Sequence, residues 1–442
     1  MDRATGEGTG QTSDIRQVLG ASFIGTTIEW YDFFIYGTAA TLVFGQLFFP
    51  TGDPLVSTLS ALGTFAVGFL IRPLGGIIFG HYGDRLGRKS MLVLTLVMMG
   101  AATFLVGCLP TFESVGVLAP ILLVVLRVIQ GLGLGGEWGG AALMSVEYAP
   151  EDKRGYFGSW PQMGVPAGLV LANGAFLSVA TLPNEQFLAW GWRVPFLLSV
   201  ILIGVGLFIR VRLLETPAFS QVQESHTESQ MPIIDVFRNY PKNVFLAIGA
   251  RVASDGAFYV FTIFILDYAT RTLGLPRPTI LLGIVVASIL ELFTIPASGA
   301  ISDRFGRRPI YLVGTVLMLI LAYPYFLLIG TGSTALVLLA SILGLSIAHA
   351  SMYGPMSAYF AELFGTRVRY SGVSIGYQLA SIIGGGLGPI IATYLVAAAG
   401  GSFWPVVAWM VVLCIITLVS VLVAAETFRG GEFAAERQAV AE

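Results

Sequence analysis

Charge is what this sequence has least of. Asp, Glu, Lys and Arg make up 11% of its 442 residues, where soluble domains carry about 25%. A soluble chain of this length has no reason to shed so much surface charge, so a soluble enzyme or scaffold is excluded. Cysteine is nearly absent. Cys108 and Cys414 both sit in apolar runs and define neither a disulfide framework nor a metal set. There is no phosphate-binding loop, no cluster of metal-ligating side chains and no nucleophile–base arrangement. An enzyme, a nucleotide-driven motor, a resident cofactor and a nucleic-acid partner are therefore not expected. No cleavable leader is expected either, because the first residues are polar and the first apolar run is too long for one.

What fills the chain instead is hydrocarbon: 55% of the residues are hydrophobic. A spanning helix needs roughly 20 apolar residues. Twelve stretches meet that length, at 18–48, 56–80, 91–110, 118–147, 156–180, 193–214, 244–272, 278–301, 310–330, 334–361, 371–398 and 403–425. The expected fold is an all-α membrane protein of twelve transmembrane helices in two six-helix bundles. A tail of 1–17 precedes an N-terminal bundle of 18–214. A polar linker of 215–243 leads to a C-terminal bundle of 244–426, and 427–442 forms a second tail.

The halves share a motif. Gly80-His81-Tyr82-Gly83-Asp84-Arg85-Leu86-Gly87-Arg88-Lys89 lies between the second and third runs. Gly299-Ala300-Ile301-Ser302-Asp303-Arg304-Phe305-Gly306-Arg307-Arg308 lies between the eighth and ninth, about half a chain later. Such spacing points to an internal duplication. Glu147 followed by Arg154, and Glu362 followed by Arg369, repeat the pattern at the ends of the fourth and tenth runs. Basic residues also fix an orientation. Loops after even-numbered runs hold Arg85, Arg88, Lys89, Lys153, Arg154, Arg304, Arg307, Arg308, Arg367 and Arg369, whereas odd-numbered loops hold Arg193, Arg271 and Arg277 alone. The positive-inside rule then puts both termini and the linker in the cytoplasm of a cell-membrane protein.

These residues carry a resemblance. The two Gly-Asp-Arg-Gly-Arg stretches resemble the loop signature of the major facilitator superfamily. Arg127-Val128-Ile129-Gln130-Gly131 resembles its fourth-span pattern. Glu29-Trp30-Tyr31-Asp32, Arg72-Pro73-Leu74-Gly75, Gly135-Gly136-Glu137-Trp138-Gly139-Gly140, Trp192-Arg193-Val194-Pro195-Phe196 and Glu215-Thr216-Pro217-Ala218-Phe219 are similar to the metabolite:proton symporter family. That family includes shikimate, α-ketoglutarate, citrate and proline/betaine transporters. The glycine–proline motif of the superfamily's drug antiporters has no good match in the fifth run, and the chain has no C-terminal coiled coil. The resemblance implies two pseudo-symmetric bundles and proton-coupled uptake. Asp32 is also similar to the first-span Asp of proton-coupled sugar porters, and Arg127 to their fourth-span Arg.

An ionisable residue at bilayer depth costs roughly 2.5–3.5 kcal/mol on insertion scales, so each needs a reason. Glu29 and Asp32 are three residues apart on one helix and would repel one another unless a cation stood near. Arg127 is the natural candidate. Asp32, Glu29 and Arg127 are thus the expected proton-coupling residues, against the plainer reading of a static ion pair. Arg251 and Asp255 are spaced i,i+4. They form either an intrahelical salt bridge or, with Arg127, Tyr259, Trp138 and Tyr353, part of a substrate site. Gly80, Asp84, Arg85, Gly87, Arg88, Glu147, Asp303, Arg304, Arg307 and Glu362 are expected to form a cytoplasmic gate that clamps the bundles shut, or else only a topology anchor. Arg72 faces the cavity or snorkels. His349 reads more readily as a packing residue than as a proton relay, and Glu291 has no assigned role.

The expected activity is therefore symport of protons with a small organic acid or a zwitterionic osmolyte, driven by the proton gradient. The rivals are a proton/drug antiporter, a uniporter and a membrane receptor without flux.

Overall fold

In hydrocarbon every backbone N–H and C=O must be satisfied within its own segment, so an apolar run this long has little choice but to be helical. The computed structural model describes residues 7–86, 88–135, 145–146, 149–213, 238, 240–364 and 369–428. Side chains at 7–18, 21, 80–81, 83–86, 88–90, 92, 209–213 and 369–371 fall outside this description. Of the expected gate residues Gly80, Asp84, Arg85 and Arg88 only the backbone is therefore described, and Gly87, Glu147 and the expected binding residue Trp138 lie outside the described residues. So does nearly all of the 215–243 linker.

Nine helices among the described residues are long and apolar enough to cross a membrane, and Val93–Cys108 and Leu118–Leu134 are shorter apolar helices. With the helix Glu7–Ala39 they account for the twelve spans. Spans 1 to 6 are built on Glu7–Ala39, Pro54–Leu86, Arg88–Cys108, Leu118–Leu134, Trp160–Ala180 and Arg193–Leu213. Spans 7 to 12 are built on Pro241–Tyr259, Arg277–Phe305, Arg307–Gly330, Ala350–Glu362, Arg369–Ser381 and Trp404–Val423. Span 2 runs on through Pro73. Widened π turns interrupt several spans, among them Ala40–Phe44 in span 1, Val260–Phe264 and Tyr268–Thr272 in span 7, Ile342–His349 in span 10 and Ile382–Gly386 in span 11. Such turns are rare and gather at functional sites. Here each stands within a few residues of a buried polar side chain.

The duplication is visible in the packing. Span 1 lies on span 5 as span 7 lies on span 11. Span 2 lies on span 4 as span 8 lies on span 10, and span 3 on span 6 as span 9 on span 12. The bundles then meet along two equivalent seams, span 5 on span 8 and span 2 on span 11. With no hydrophobic drive between helices in lipid, small residues that allow close approach decide such seams. At the first seam a methyl group on Gly155 would stand 2.4 Å from the Gly299 carbonyl oxygen, and one on Gly299 would stand 2.5 Å from the Gly155 carbonyl oxygen. Gly155→Ala is expected to force this seam apart and cost about 1–3 kcal/mol. The thermal midpoint of the purified protein should fall. Gly174→Ala, with nothing within 4 Å of the added methyl, should leave it in place, and equal midpoints in the two variants would refute the close contact.

Candidate functional site

The two bundles touch at both membrane faces and in the middle. At the end bearing the second Gly-Asp-Arg stretch, Asp303 closes span 8 onto the turn that opens span 5. Its Oδ1 accepts from the Gly155 amide at 2.7 Å and its Oδ2 from the Tyr156 amide at 2.8 Å. These are orphan amides at the start of the short helix Arg154–Gly158, where negative charge is welcome. Arg307 holds the same carboxylate at 2.5 Å and reaches Glu362 of span 10 at 3.3 Å. Thr427 donates to Glu362 at 2.5 Å, and Arg154 lies within electrostatic reach of Glu362 across the seam. Asp303, Arg307 and Glu362 thus form one buried latch between the bundles. Arg304, expected to belong with them, is exposed.

At the opposite end, Arg271 of span 7 donates to Thr58 and, at 3.1 Å, to the Pro54 carbonyl of span 2. Asp267 holds Arg271 at 3.0 Å. Arg277 of span 8 donates to Asn184, ahead of span 6. Between the two closed ends stands a wall of rings. Phe34 meets Phe258 at 5.8 Å, and Phe65 and Phe69 meet Tyr259 at 6.0 and 5.4 Å. Phe69 also packs against Gly385 and Gly386 of span 11. Among the described residues the bundles are in contact at both ends and in the middle, an occluded arrangement.

The first-span carboxylates lie behind that wall. Asp32 is 2% exposed, and Glu29 is also buried. Asp32 shares a cavity of about 10 Å³, room for one water, with Phe33, Met99, Arg127, Gln130 and Leu134. The expected Asp32–Arg127 ion pair is not formed. Arg127 Nη1 donates to Gln130 at 3.2 Å and Nη2 to the Phe65 carbonyl at 3.3 Å. Its guanidinium is sandwiched by Tyr36 and Phe33, at 4.2 and 4.4 Å from their ring centres. Neither oxygen of Asp32 has a hydrogen-bond partner. Thr103 stands beside it, but its hydroxyl donates to the Met99 carbonyl at 2.9 Å and accepts from Gln130 at 2.8 Å.

Arg72 is the residue the sequence left undecided. It is 2% exposed and does not snorkel. Its guanidinium lies 4.3 Å from the Phe33 ring, 4.4 Å from Phe69 and 5.5 Å from Trp30. Nε and Nη2 have no hydrogen-bond partner, and Tyr259, Tyr377, Asp255 and Arg251 of the other bundle are within electrostatic reach. Arg251 and Asp255 form a two-pronged intrahelical pair, at 2.8 and 2.9 Å. Ser381 donates to Asp255 at 2.8 Å, and Arg251 lies flat on Tyr377, 3.3 Å from its ring centre. Tyr259 and Tyr353 are buried beside this pair. The structure therefore brings Arg72, Arg127 and the Arg251–Asp255 pair to the central plane. What marked Arg72 in the sequence was an arginine deep in an apolar run.

The comparisons agree with this architecture. The Major Facilitator Superfamily profile matches residues 22–385 and 246–440. The chain is 42% identical over 428 residues to the shikimate transporter of Escherichia coli (strain K12), covering 96% of this chain and 97% of that one. It is 35% identical to the proline/betaine transporter of the same organism, over 93% of this chain and 84% of that one. Its fold is similar to the crystal structure of a D-xylose-proton symporter, with a TM-score of 0.71 at 20% identity, over 94% of this chain and 99% of that one. The chain belongs to the Major Facilitator Superfamily, in its metabolite:proton symporter branch.

Proposed function

We propose that this chain takes up a small organic acid together with protons, by alternating access across a cell membrane. The observation that carries the substrate class is the central plane: Arg72 is buried between aromatic rings with donors that no carboxylate meets. A guanidinium in a confined site suits a carboxylate. The shikimate transporter named above is consistent with an acid, and the proline/betaine transporter with a zwitterion. The rings that would cradle a quaternary ammonium, Trp30, Phe33 and Phe69, are already occupied by Arg72, which favours the acid. Lysine and arginine placement puts the Asp303–Arg307–Glu362 latch and both termini in the cytoplasm. The latch is then the inner gate, and the Arg271–Thr58 contact the outer one.

In the proposed cycle the outward-open protein takes a proton at Asp32, with Glu29 one turn away on the same helix. Substrate binds Arg72 and Arg127, the bundles occlude, and the latch at Asp303 then breaks. Uptake of shikimate into proteoliposomes under an imposed pH gradient tests this. Accumulation that follows the gradient is expected, and uptake indifferent to it would overturn symport. Arg72→Gln removes a charged hydrogen bond worth about 1.5–3 kcal/mol. The half-saturating shikimate concentration should rise about 10- to 100-fold, with glycine betaine uptake much less affected. An unchanged half-saturation in that variant would remove Arg72 from the site.

A further inference from the structure

Two buried ionisable residues take no part in the cycle above. Glu291 of span 8 is 0% exposed and His349 of span 10 is 2% exposed. The fold brings them into contact across 58 positions of sequence, with His349 Nδ1 2.5 Å from Glu291 Oε1. His349 is the last residue of the π turn Ile342–His349. One turn earlier, Ser346 donates to the Ala287 carbonyl at 2.6 Å and pins span 10 to span 8 at this level. The pair is only half satisfied. Glu291 Oε2 has no hydrogen-bond partner, and neither has the Ser288 hydroxyl one turn before it. A carboxylate kept only for packing would be expected to have both oxygens met, because an unmet buried one is costly.

The couple also faces the bundle interface. The His349 ring packs on Phe258 of span 7 and stacks on Tyr353, both at 4.9 Å. Phe258 is the residue that meets Phe34 of span 1, so a single ring separates His349 from the N-terminal bundle. Tyr353 and Tyr377 are within electrostatic reach of one another, and Arg251 lies on Tyr377. Other titratable groups on the packed elements include Arg251, Asp255 and Tyr259 of span 7, Tyr311 and Tyr325 of span 9, Tyr353 of span 10 and Tyr377 of span 11. Asp255 is already committed to Arg251, and His349 is the titratable side chain in hydrogen-bond contact with Glu291.

We propose that Glu291 and His349 form a second proton-binding couple, in the C-terminal bundle, loaded in addition to Asp32. The proton already between the two is retained, and one more binds the unmet Glu291 Oε2. The couple passes from a net charge of −1 to zero, and no other bond changes. Two protons would then accompany each substrate, and a monoanion would move inward with net positive charge. Only the transport arm of the test below rests on the symport reading.

The first measurement needs no substrate. Infrared spectra of the lipid-reconstituted protein are recorded as pH is changed, for the wild type, Asp32→Asn, Glu291→Gln and His349→Gln. Glu291→Gln should lose one protonated-carboxyl absorption and keep that of Asp32, which also shows that the variant is folded. His349→Gln should shift the Glu291 absorption, because its hydrogen-bond partner has changed. If Glu291→Gln does not fold, His349→Gln alone decides. A carboxyl spectrum unaltered by these substitutions would overturn the couple and leave a packing contact. In proteoliposomes, with shikimate as probe, the protons moved per substrate should fall by one in Glu291→Gln, and an unchanged ratio would equally overturn it. Gradient-independent uptake by the wild type would sink symport while leaving the infrared result on the couple standing.

Discussion

Asp32→Asn is expected to abolish accumulation against a gradient while substrate still equilibrates across the membrane. Asp32 is 2% exposed in the occluded arrangement, with neither oxygen hydrogen-bonded. Arg127, which lines the same small cavity, has turned to Gln130 and the Phe65 carbonyl. An ionised carboxylate there would lack a counter-ion, a penalty of several kcal/mol. At about 1.4 kcal/mol per tenfold, that biases closure by more than about 100-fold against the ionised form. The bundles then close readily only when Asp32 carries a proton, which is the link a symporter needs. Asparagine has the same shape and is always neutral, so closure no longer waits for a proton. Gradient-driven shikimate uptake in proteoliposomes should fall to simple equilibration, and exchange of internal for external shikimate should persist. Retained accumulation in Asp32→Asn would take the proton site away from this residue.

Asp303→Asn should open the protein at the opposite side of the same cycle. One carboxylate there serves the Gly155 amide, the Tyr156 amide and Arg307. Asparagine keeps one acceptor oxygen and turns an N–H₂ group toward a backbone N–H. Arg307 is left with Glu362 alone among the acids. Removing one partner of a buried charge network costs about 3–5 kcal/mol, which is about 150- to 5,000-fold in the balance between closed and open forms. Hydrogen exchange should quicken at Gly155 and Tyr156, and across the end of span 8. Arg304→Gln, next door but exposed, should change nothing. If Gly155 and Tyr156 exchange at the wild-type rate in Asp303→Asn, the latch does not hold the bundles together.

Much of this molecule can be read without coordinates. Twelve spans follow from run lengths, because each run in lipid must satisfy its own backbone. The duplication follows from two matching Gly-Asp-Arg stretches, and the Arg251–Asp255 pair from a spacing of four on one helix. Within a single helix the period of 3.6 residues is enough to say which side chains meet.

Contacts between helices are another matter. Asp32 and Arg127 look like partners in the sequence, yet they are unpaired here, since Gln130 and three rings compete for the arginine. Glu291 and His349 look unrelated and are bonded. Asp303 finds its amides 148 and 147 positions away. Which face each span turns toward its neighbours is decided by how closely backbones approach at residues such as Gly155 and Gly299. That fit belongs to pairs of surfaces and to no single run of residues. The sequence by itself therefore determined the spans, their duplication and the inventory of buried charges. Only the tertiary structure decided which of those charges meet, because partners on different helices are chosen by packing register and not by spacing along the chain.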